Sequence, residues 1–213
     1  MKLTLLNKSP LLKNVHKTTL NSFVKLLSLI IFSFILINCG QKYYEEQFLK
    51  NSIRIDSQNP HAYYFLGKRC LEHKEYRKAI TYFKKAIKQD PKYIEAYIGL
   101  GHSYRSFKNY KKALQYYEMA KEIAPDNSLP YEGIGSIYLK KKNLNEAEKM
   151  FKKAIELNPN NYVALGKLGD IAYTKKDYSS AIKYWTESLR VNPNQTDLKK
   201  LLNDLKGYAE ELN

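Results

Sequence analysis

The sequence predicts an all-α fold, a solenoid of stacked helix pairs, because the same residue types return every 34 positions over most of the chain. Four sets of equivalent positions, here called columns, carry this period. The glycine column is Gly67, Gly101, Gly135 and Gly169; the alanine column is Ala79, Ala113, Ala147 and Ala181; the aromatic column is Phe83, Tyr117, Phe151 and Trp185; the proline column is Pro91, Pro125, Pro159 and Pro193. We therefore predict four repeats, at residues 60–93, 94–127, 128–161 and 162–195.

Each repeat is predicted to contain two helices. In the first repeat, Tyr63, Leu66, Gly67 and Cys70 fall at i, i+3, i+4 and i+7, so they share one face of a first helix. The second helix carries the alanine and aromatic columns. It ends at the proline column, because the residue before a proline is pushed away from helical angles. Glycine and alanine remove side-chain bulk where helices approach closely, and the aromatic column fills the space beside them.

Both ends of the repeat array are predicted to carry a further helix, because a terminal repeat cannot bury its outer apolar face alone. Residues 196–213 contain a leucine stripe with helical spacing, which predicts a C-terminal capping helix. The stripe consists of Leu198, Leu201, Leu202, Leu205 and Leu212. Residues 39–59 are predicted to hold a short linker and an N-terminal half-repeat helix, with Ser52 at the small-residue position that Ala86 occupies in the first repeat.

These columns and their spacing resemble the tetratricopeptide repeat family, whose unit is a helix–turn–helix. The resemblance implies a right-handed superhelical solenoid in which the first helices line a concave groove and the second helices form the convex back. It also implies that a protein or peptide partner, rather than a small-molecule substrate, binds in the groove. The residues expected to face the groove are His61, Tyr64, Lys68, Glu95, Ile98, His102, Arg105, Glu132, Ser136 and Asp170. Basic groups in the first two repeats and acidic groups in the last two would orient a peptide, although solubility explains polar residues there equally well.

Residues 1–38 are predicted to be a signal peptide. The first 25 residues contain five lysines and no acid, and residues 26–37 are apolar except for Ser28 and Ser33. This run is shorter than the ~20 residues that a membrane-spanning helix needs, and it matches the apolar core of a secretory signal. Residues 36–40, Leu-Ile-Asn-Cys-Gly, follow directly.

That segment resembles the lipobox of bacterial lipoproteins, with Leu36 three positions before Cys39. The resemblance implies that cleavage makes Cys39 the N-terminal residue and that its thiol receives a diacylglyceryl group, with palmitate as a typical acyl chain. The protein would then be anchored by lipid to the extracytoplasmic side of a membrane in the cell envelope. An uncleaved signal anchor, with the repeats facing the cytoplasm, is the alternative.

The formal charge of +15 does not by itself predict nucleic-acid binding. Only five of the 36 basic residues are arginines, whereas base and phosphate recognition favours the planar guanidinium. Five lysines precede residue 39 and no acid does, so the rest of the chain carries +10. We expect no specific nucleic-acid partner, and a polyanion-binding protein is kept as an alternative.

No catalytic constellation, cofactor-binding motif or metal-ligand spacing is present in the sequence. Cys70 and His73 stand three residues apart, but Cys70 occupies a column that holds Tyr104 and Tyr138 in the next repeats, which favours a core thiol. We therefore predict a non-enzymatic, membrane-anchored scaffold for protein–protein interaction. The two resemblances together suggest an accessory subunit of an envelope assembly machine.

Overall fold

The structure, a computed structural model, describes residues 47–54 and 56–211, and every regular element in this part of the chain is an α-helix. Residues 47–54 are helical and are called α1. The other helices are α2 (Pro60–Glu72), α3 (Tyr76–Gln89), α4 (Ile94–Ser106), α5 (Tyr110–Ile123), α6 (Ser128–Lys140), α7 (Leu144–Leu157), α8 (Tyr162–Thr174), α9 (Tyr178–Val191) and α10 (Thr196–Glu211). The predicted signal peptide, Cys39 and Leu212 lie outside the described residues.

The all-α solenoid predicted from the sequence is confirmed. Helices α2–α9 form four pairs, and each predicted repeat contains one pair. Each second helix then packs on the first helix of the next pair, as α3 does on α4. Neighbouring first helices also contact each other directly, α2 with α4 and α4 with α6. The first helices therefore lie on the inner, concave side of the solenoid.

Helix α1 falls within residues 39–59, for which a half-repeat helix is predicted. It belongs to a different compact unit from α2–α10. Its side chains include an exposed Phe48 and a half-buried Leu49.

The aromatic column occupies the centre of the core. Phe83, Tyr117, Phe151 and Trp185 are each at most 1% exposed. Their rings lie against glycines on the first helices. A methyl group added at Gly67 would stand 2.8 Å from the Phe83 ring, and one added at Gly99 would stand 2.6 Å from the same ring. The aromatic ring of each second helix thus fills space that only glycine leaves open.

The turn inside each repeat uses lysine in a left-handed backbone conformation. Lys74, Lys108, Lys142 and Lys176 have φ values of 58–61°. In the first turn, the amide of Glu75 donates to the carbonyl of Cys70 (2.8 Å) and that of Lys74 donates to Leu71 (3.0 Å). This is the Schellman pattern of a helix C-terminus, which usually takes glycine at the left-handed position. The repeat therefore carries a small backbone strain at four equivalent turns.

Replacing Lys108 with glycine should raise the free energy of unfolding by about 0.5–1 kcal/mol. Glycine removes the cost of the left-handed conformation, and its greater freedom in the unfolded chain offsets only part of that gain. Lys84→Gly, at an exposed position inside α3, is the matched control and should instead cost about 1 kcal/mol. Urea denaturation followed by circular dichroism measures both, and a loss of stability in Lys108→Gly would contradict the strain.

The C-terminal capping helix is α10. Leu202 is buried against Ala172, Ala181 and Trp185, and Leu198 and Leu205 pack around this cluster. The helix begins at Thr196, directly after Gln195. The Gln195 side-chain amide donates to the carbonyls of Ser188 and Asn192, at 3.1 and 3.0 Å. Gln195 thereby ties the cap to the last repeat.

Candidate functional site

The ten predicted groove residues differ in how much surface they offer. His61, Lys68 and Glu95 are exposed, whereas Tyr64, His102, Arg105, Ser136 and Asp170 are half-buried. Ile98 is 5% exposed and Glu132 is 9% exposed. These last two differ from the expectation of an open groove, because the first helices lie close to one another along the inner side and cover part of their own surface.

The middle of the inner face carries a polar cluster around His102. The Tyr117 hydroxyl and Nη2 of Arg105 both lie within hydrogen-bond distance of His102 Nδ1, at 3.1 and 3.2 Å. Because a guanidinium can only donate, Nδ1 is the acceptor and the ring proton resides on Nε2. Burial and the charge of Arg105 lower the pKa of His102 to about 4. The ring is therefore neutral at physiological pH, and its orientation is fixed by two helices.

Stability should fall as the pH is lowered from 6.5 towards 4, because the folded protein holds His102 neutral. The ordinary pKa of 6.5 applies to the unfolded chain and a pKa of about 4 to the folded one, so the unfolded state binds more protons between these values. The stabilisation present above pH 6.5 is lost on acidification.

Between these pH values, we expect the free energy of unfolding to fall by about 2 kcal/mol less in His102→Gln than in the wild-type protein. This figure allows for the partial exposure of the His102 ring. The measurement is the free energy of unfolding of both proteins at pH 7 and pH 4. Carboxylates affect both proteins alike, so their contribution cancels in the difference. An equal loss of unfolding free energy between pH 7 and pH 4 in the two proteins would contradict the lowered pKa of His102.

A second polar contact links α6 to the start of α8. The side-chain amide of Asn161 donates to Glu132 Oε2 (3.1 Å), while Asn161 Oδ1 caps α8 by accepting from the amide of Ala164 (2.9 Å). Burial raises the pKa of Glu132, and the hydrogen bond from Asn161 and the charge of Arg105 oppose this rise. The carboxylate therefore lies beside the groove with one defined partner.

Aromatic rings gather at the N-terminal end of the inner face. Nδ1 of His61 is hydrogen-bonded to the Tyr93 hydroxyl (2.9 Å), and the two rings meet edge to face with centroids 5.1 Å apart. Tyr64 packs against Tyr93 with centroids 5.4 Å apart. Burial, with a smaller contribution from Glu95, raises the pKa of Tyr93 to about 12. This group offers a flat aromatic surface with a histidine at its edge.

The C-terminal end of the inner face holds a shallow cavity of about 310 Å³ between α8 and α10. Asp170 lies in its wall, where it accepts a hydrogen bond from Trp185 Nε1 (3.2 Å) and forms an ion pair with Lys167 (2.7 Å). Tyr162 and Leu201 add partly exposed apolar surface to the rim. The negative charge of Asp170 is therefore compensated within its own helix.

Comparison with known families identifies the fold. Models described as tetratricopeptide repeat match residues 40–94, 70–132, 130–161 and 162–195. Together these matches run without a gap from residue 40 to residue 195. The chain belongs to the tetratricopeptide repeat family. The predicted family is therefore confirmed, and the inner face described above is the face of the tetratricopeptide repeat solenoid that its first helices line.

Three solved structures, two of them described as those of tetratricopeptide repeat proteins, are similar to this one. TTC0263, a thermophilic protein of Thermus thermophilus, is 19% identical with a TM-score of 0.67, over 80% of this chain and 93% of that one. YrrB, described as having an unusual peptide-binding site, is 20% identical with a TM-score of 0.56, over 76% and 84% of the two chains. PilF of Pseudomonas aeruginosa is 25% identical with a TM-score of 0.65, over 71% and 69%. No curated protein sequence matches this chain.

Two residues of the inner face were missed by sequence reasoning, and both belong to one column. Tyr93 and Asn161 precede the first helices of repeats two and four, in a column that also holds Asn59, Asn127 and Gln195. Asn127 and Asn161 cap their helices through their side chains, whereas Tyr93 does not. The change from a capping residue to tyrosine is the signal that could have identified Tyr93.

Residues 47–54 and 56–211 contain no group of three or more His, Cys, Asp or Glu side chains placed to hold a metal ion. None of the helices in these ranges has both the length and the apolar character needed to cross a bilayer. Cys70 is half-buried in α2.

Proposed function

We propose that this tetratricopeptide repeat protein is a non-catalytic scaffold that binds a peptide segment of a partner protein along its concave face. One observation carries the proposal. At three levels of the inner face, a side chain of a first helix is fixed by a hydrogen bond from a different element. The three contacts are His61 with Tyr93, His102 with Tyr117, and Asp170 with Trp185. Side chains fixed in this way lose little entropy when a partner binds.

The chemistry along the face suits a peptide better than a compact small molecule. Aromatic rings lie at one end, the Arg105 and Glu132 charges lie in the middle, and apolar surface around Leu201 lies at the other end. An extended peptide presents side chains and backbone groups at intervals and can therefore contact all three zones. YrrB is described as having an unusual peptide-binding site, and this description supports peptide binding by the present fold.

Residue-specific photocrosslinking tests the groove. A photoreactive amino acid at Lys68 or at Glu95, both exposed on first helices, should capture the same partner in cells. The same amino acid at Lys84, exposed on the convex helix α3, is the matched control and should not capture it. With the captured partner purified, Arg105→Gln should weaken binding by roughly tenfold or more, whereas Lys84→Gln should not. Capture from Lys84 alone would refute the groove.

We further propose that Cys39 carries a lipid and holds the scaffold at the extracytoplasmic surface of a membrane in the cell envelope. The apolar run of residues 26–37 and the lipobox-like segment ending at Cys39 support this anchor. Two or more acyl chains suffice for stable membrane attachment without a spanning helix. The partner would then be another protein of the envelope, in keeping with an accessory role in an assembly machine.

Metabolic labelling with a palmitate analogue tests the anchor. The wild-type protein should incorporate the label, Cys39→Ala should lose it, and Cys70→Ala should retain it. Cys70 is the matched control, because it is the only other cysteine in the chain. Labelling that survives in Cys39→Ala would favour the uncleaved anchor instead. A mature protein that still contains residues 1–38 would do the same.

A further inference from the structure

The two edges of the solenoid differ in charge. The helices of each pair run in opposite directions and the pairs stack side by side, so all the turns within repeats lie along one edge. This edge, here called the turn edge, comprises residues 72–78, 106–112, 140–146 and 174–180. The opposite edge, called the loop edge, comprises residues 88–94, 122–128, 156–162 and 190–196. The turn edge contains eleven basic residues (lysine or arginine) and four acidic ones, a net charge of +7. The loop edge contains three basic and four acidic residues, a net charge of −1.

The cations of the turn edge face solvent and are held on a rigid backbone. All eleven of these lysines and arginines are exposed. Within the described part of the chain, only Lys78 and Lys175 among them form ion pairs, with Glu75 and Glu148. The left-handed lysines at each turn sit in the hydrogen-bonded Schellman pattern, so their positions repeat along the edge. The positive charge is therefore concentrated rather than neutralised locally.

Exposed aromatic rings occur on or beside the same edge. Phe107 is 47% exposed, with the Arg77 guanidinium 5.9 Å from its ring centroid. Tyr178 is 44% exposed and Tyr173 is 43% exposed, with their rings 5.7 Å apart. Aromatic rings next to lysines are characteristic of protein surfaces that lie at the level of lipid headgroups.

We infer that the turn edge docks on anionic lipid headgroups. Lysine side chains close to a negatively charged bilayer are attracted to it, and the attraction acts within about a Debye length, ~10 Å in moderate salt. Nucleic acid is the less favoured polyanion, because the edge holds one arginine and ten lysines and its exposed rings suit an apolar boundary. Docking by this edge stands the helices upright on the membrane and leaves the concave face open to the side.

This inference goes beyond the proposed function, since it requires neither a partner in the groove nor a lipid on Cys39. Two matched positions test it in the full-length protein. An environment-sensitive fluorescent amino acid is placed at Phe107 on the turn edge, or at Leu129 near the loop edge, which is 43% exposed. The protein is added to vesicles of phosphatidylcholine alone or with phosphatidylglycerol, containing a lipid-borne quencher.

The probe at Phe107 should be quenched in the anionic vesicles and released by added salt, whereas the probe at Leu129 should not respond to lipid charge. Equal quenching at the two positions, or quenching independent of phosphatidylglycerol, would overturn the inference. The lipid anchor has a separate readout, namely flotation of the protein with neutral vesicles. Failure of the anchor and failure of the edge are thereby distinguished.

Charge variants give a second test. Replacing Lys108, Lys141 and Lys142 by glutamine should weaken the phosphatidylglycerol-dependent binding by roughly a hundredfold, at about fivefold for each lysine. Glutamine at Lys84, Lys88 and Lys92 removes the same charge from exposed positions off the turn edge, so this triple variant is the matched control and should bind almost as wild type. Equal losses in the two variants, or equally tight and salt-sensitive retention on DNA, would reassign the effect to general polyanion attraction.

Discussion

Replacing Tyr117 by alanine is expected to lower the free energy of unfolding by about 3–5 kcal/mol, the cost of truncating a fully buried aromatic residue. Tyr117 has no exposed surface, and methyl groups added at Gly101 and Gly133 would both stand 2.4 Å from its ring. Both first helices present glycine to the ring, so neither has a side chain at these positions that could fill the space. The cavity left by alanine would therefore remain unfilled.

Tyr117→Phe separates packing from the polar cluster. Phenylalanine keeps the ring, and the loss of the hydroxyl removes only the contact to His102, worth about 1 kcal/mol. Urea denaturation followed by far-ultraviolet circular dichroism measures both variants. Because Tyr117 joins the second and third repeats, its truncation should also broaden the transition as the two halves uncouple. Similar losses in the two variants would show that the ring does not fill the junction.

Gly169→Ala is expected to destabilise the protein by about 3 kcal/mol, although alanine is the better helix former. A methyl group at this position would stand 2.2 Å from Cδ1 of the Trp185 indole, which is fully buried and has no room to move. Overpacking of this kind usually costs about 1–3 kcal/mol, and a contact this short places the effect at the upper end. Thermal and urea unfolding measure the change.

Gly207→Ala is the matched control in α10, because nothing lies within 4 Å of the added methyl group. That variant should gain up to about 1 kcal/mol from helix propensity alone. Trp185→Phe introduces the ring found at Phe83 and Phe151, and it should relieve part of the clash. The double variant Gly169→Ala with Trp185→Phe should therefore lose less than the sum of the two single changes. Strict additivity would contradict the proposed contact.

The fold was predictable because each column has a local physical cause. Glycine at 34-residue intervals marks the positions where a ring from the second helix must enter, and proline marks the end of that helix. The leucine stripe after Pro193 likewise predicted α10. The left-handed lysines were not predicted, since lysine at that position carries no sequence signal of a turn. Only the hydrogen-bond pattern of the completed helix reveals it.

The inner face was predictable in outline but not in detail. Periodicity places a residue on a face of its own helix, and it placed Lys68 and Glu95 at exposed positions. Periodicity along one helix carries no information about the neighbouring helix, which covers part of its surface. The burial of Ile98 and Glu132 was therefore not predicted. Tyr93 and Asn161 were missed for a related reason, because they lie in the short connections between repeats and reach the inner face only once the repeats are stacked.

The sequence by itself determined the all-α class, the four helix pairs and the aromatic core, because these follow from spacing along a single chain. The tertiary structure alone decided which groove residues stay accessible, which way the His102 ring faces, and how charge separates between the turn edge and the loop edge. The physical reason is that these properties belong to pairs of elements far apart in sequence. Burial, hydrogen bonding and net charge on a surface arise only when neighbouring repeats come into contact.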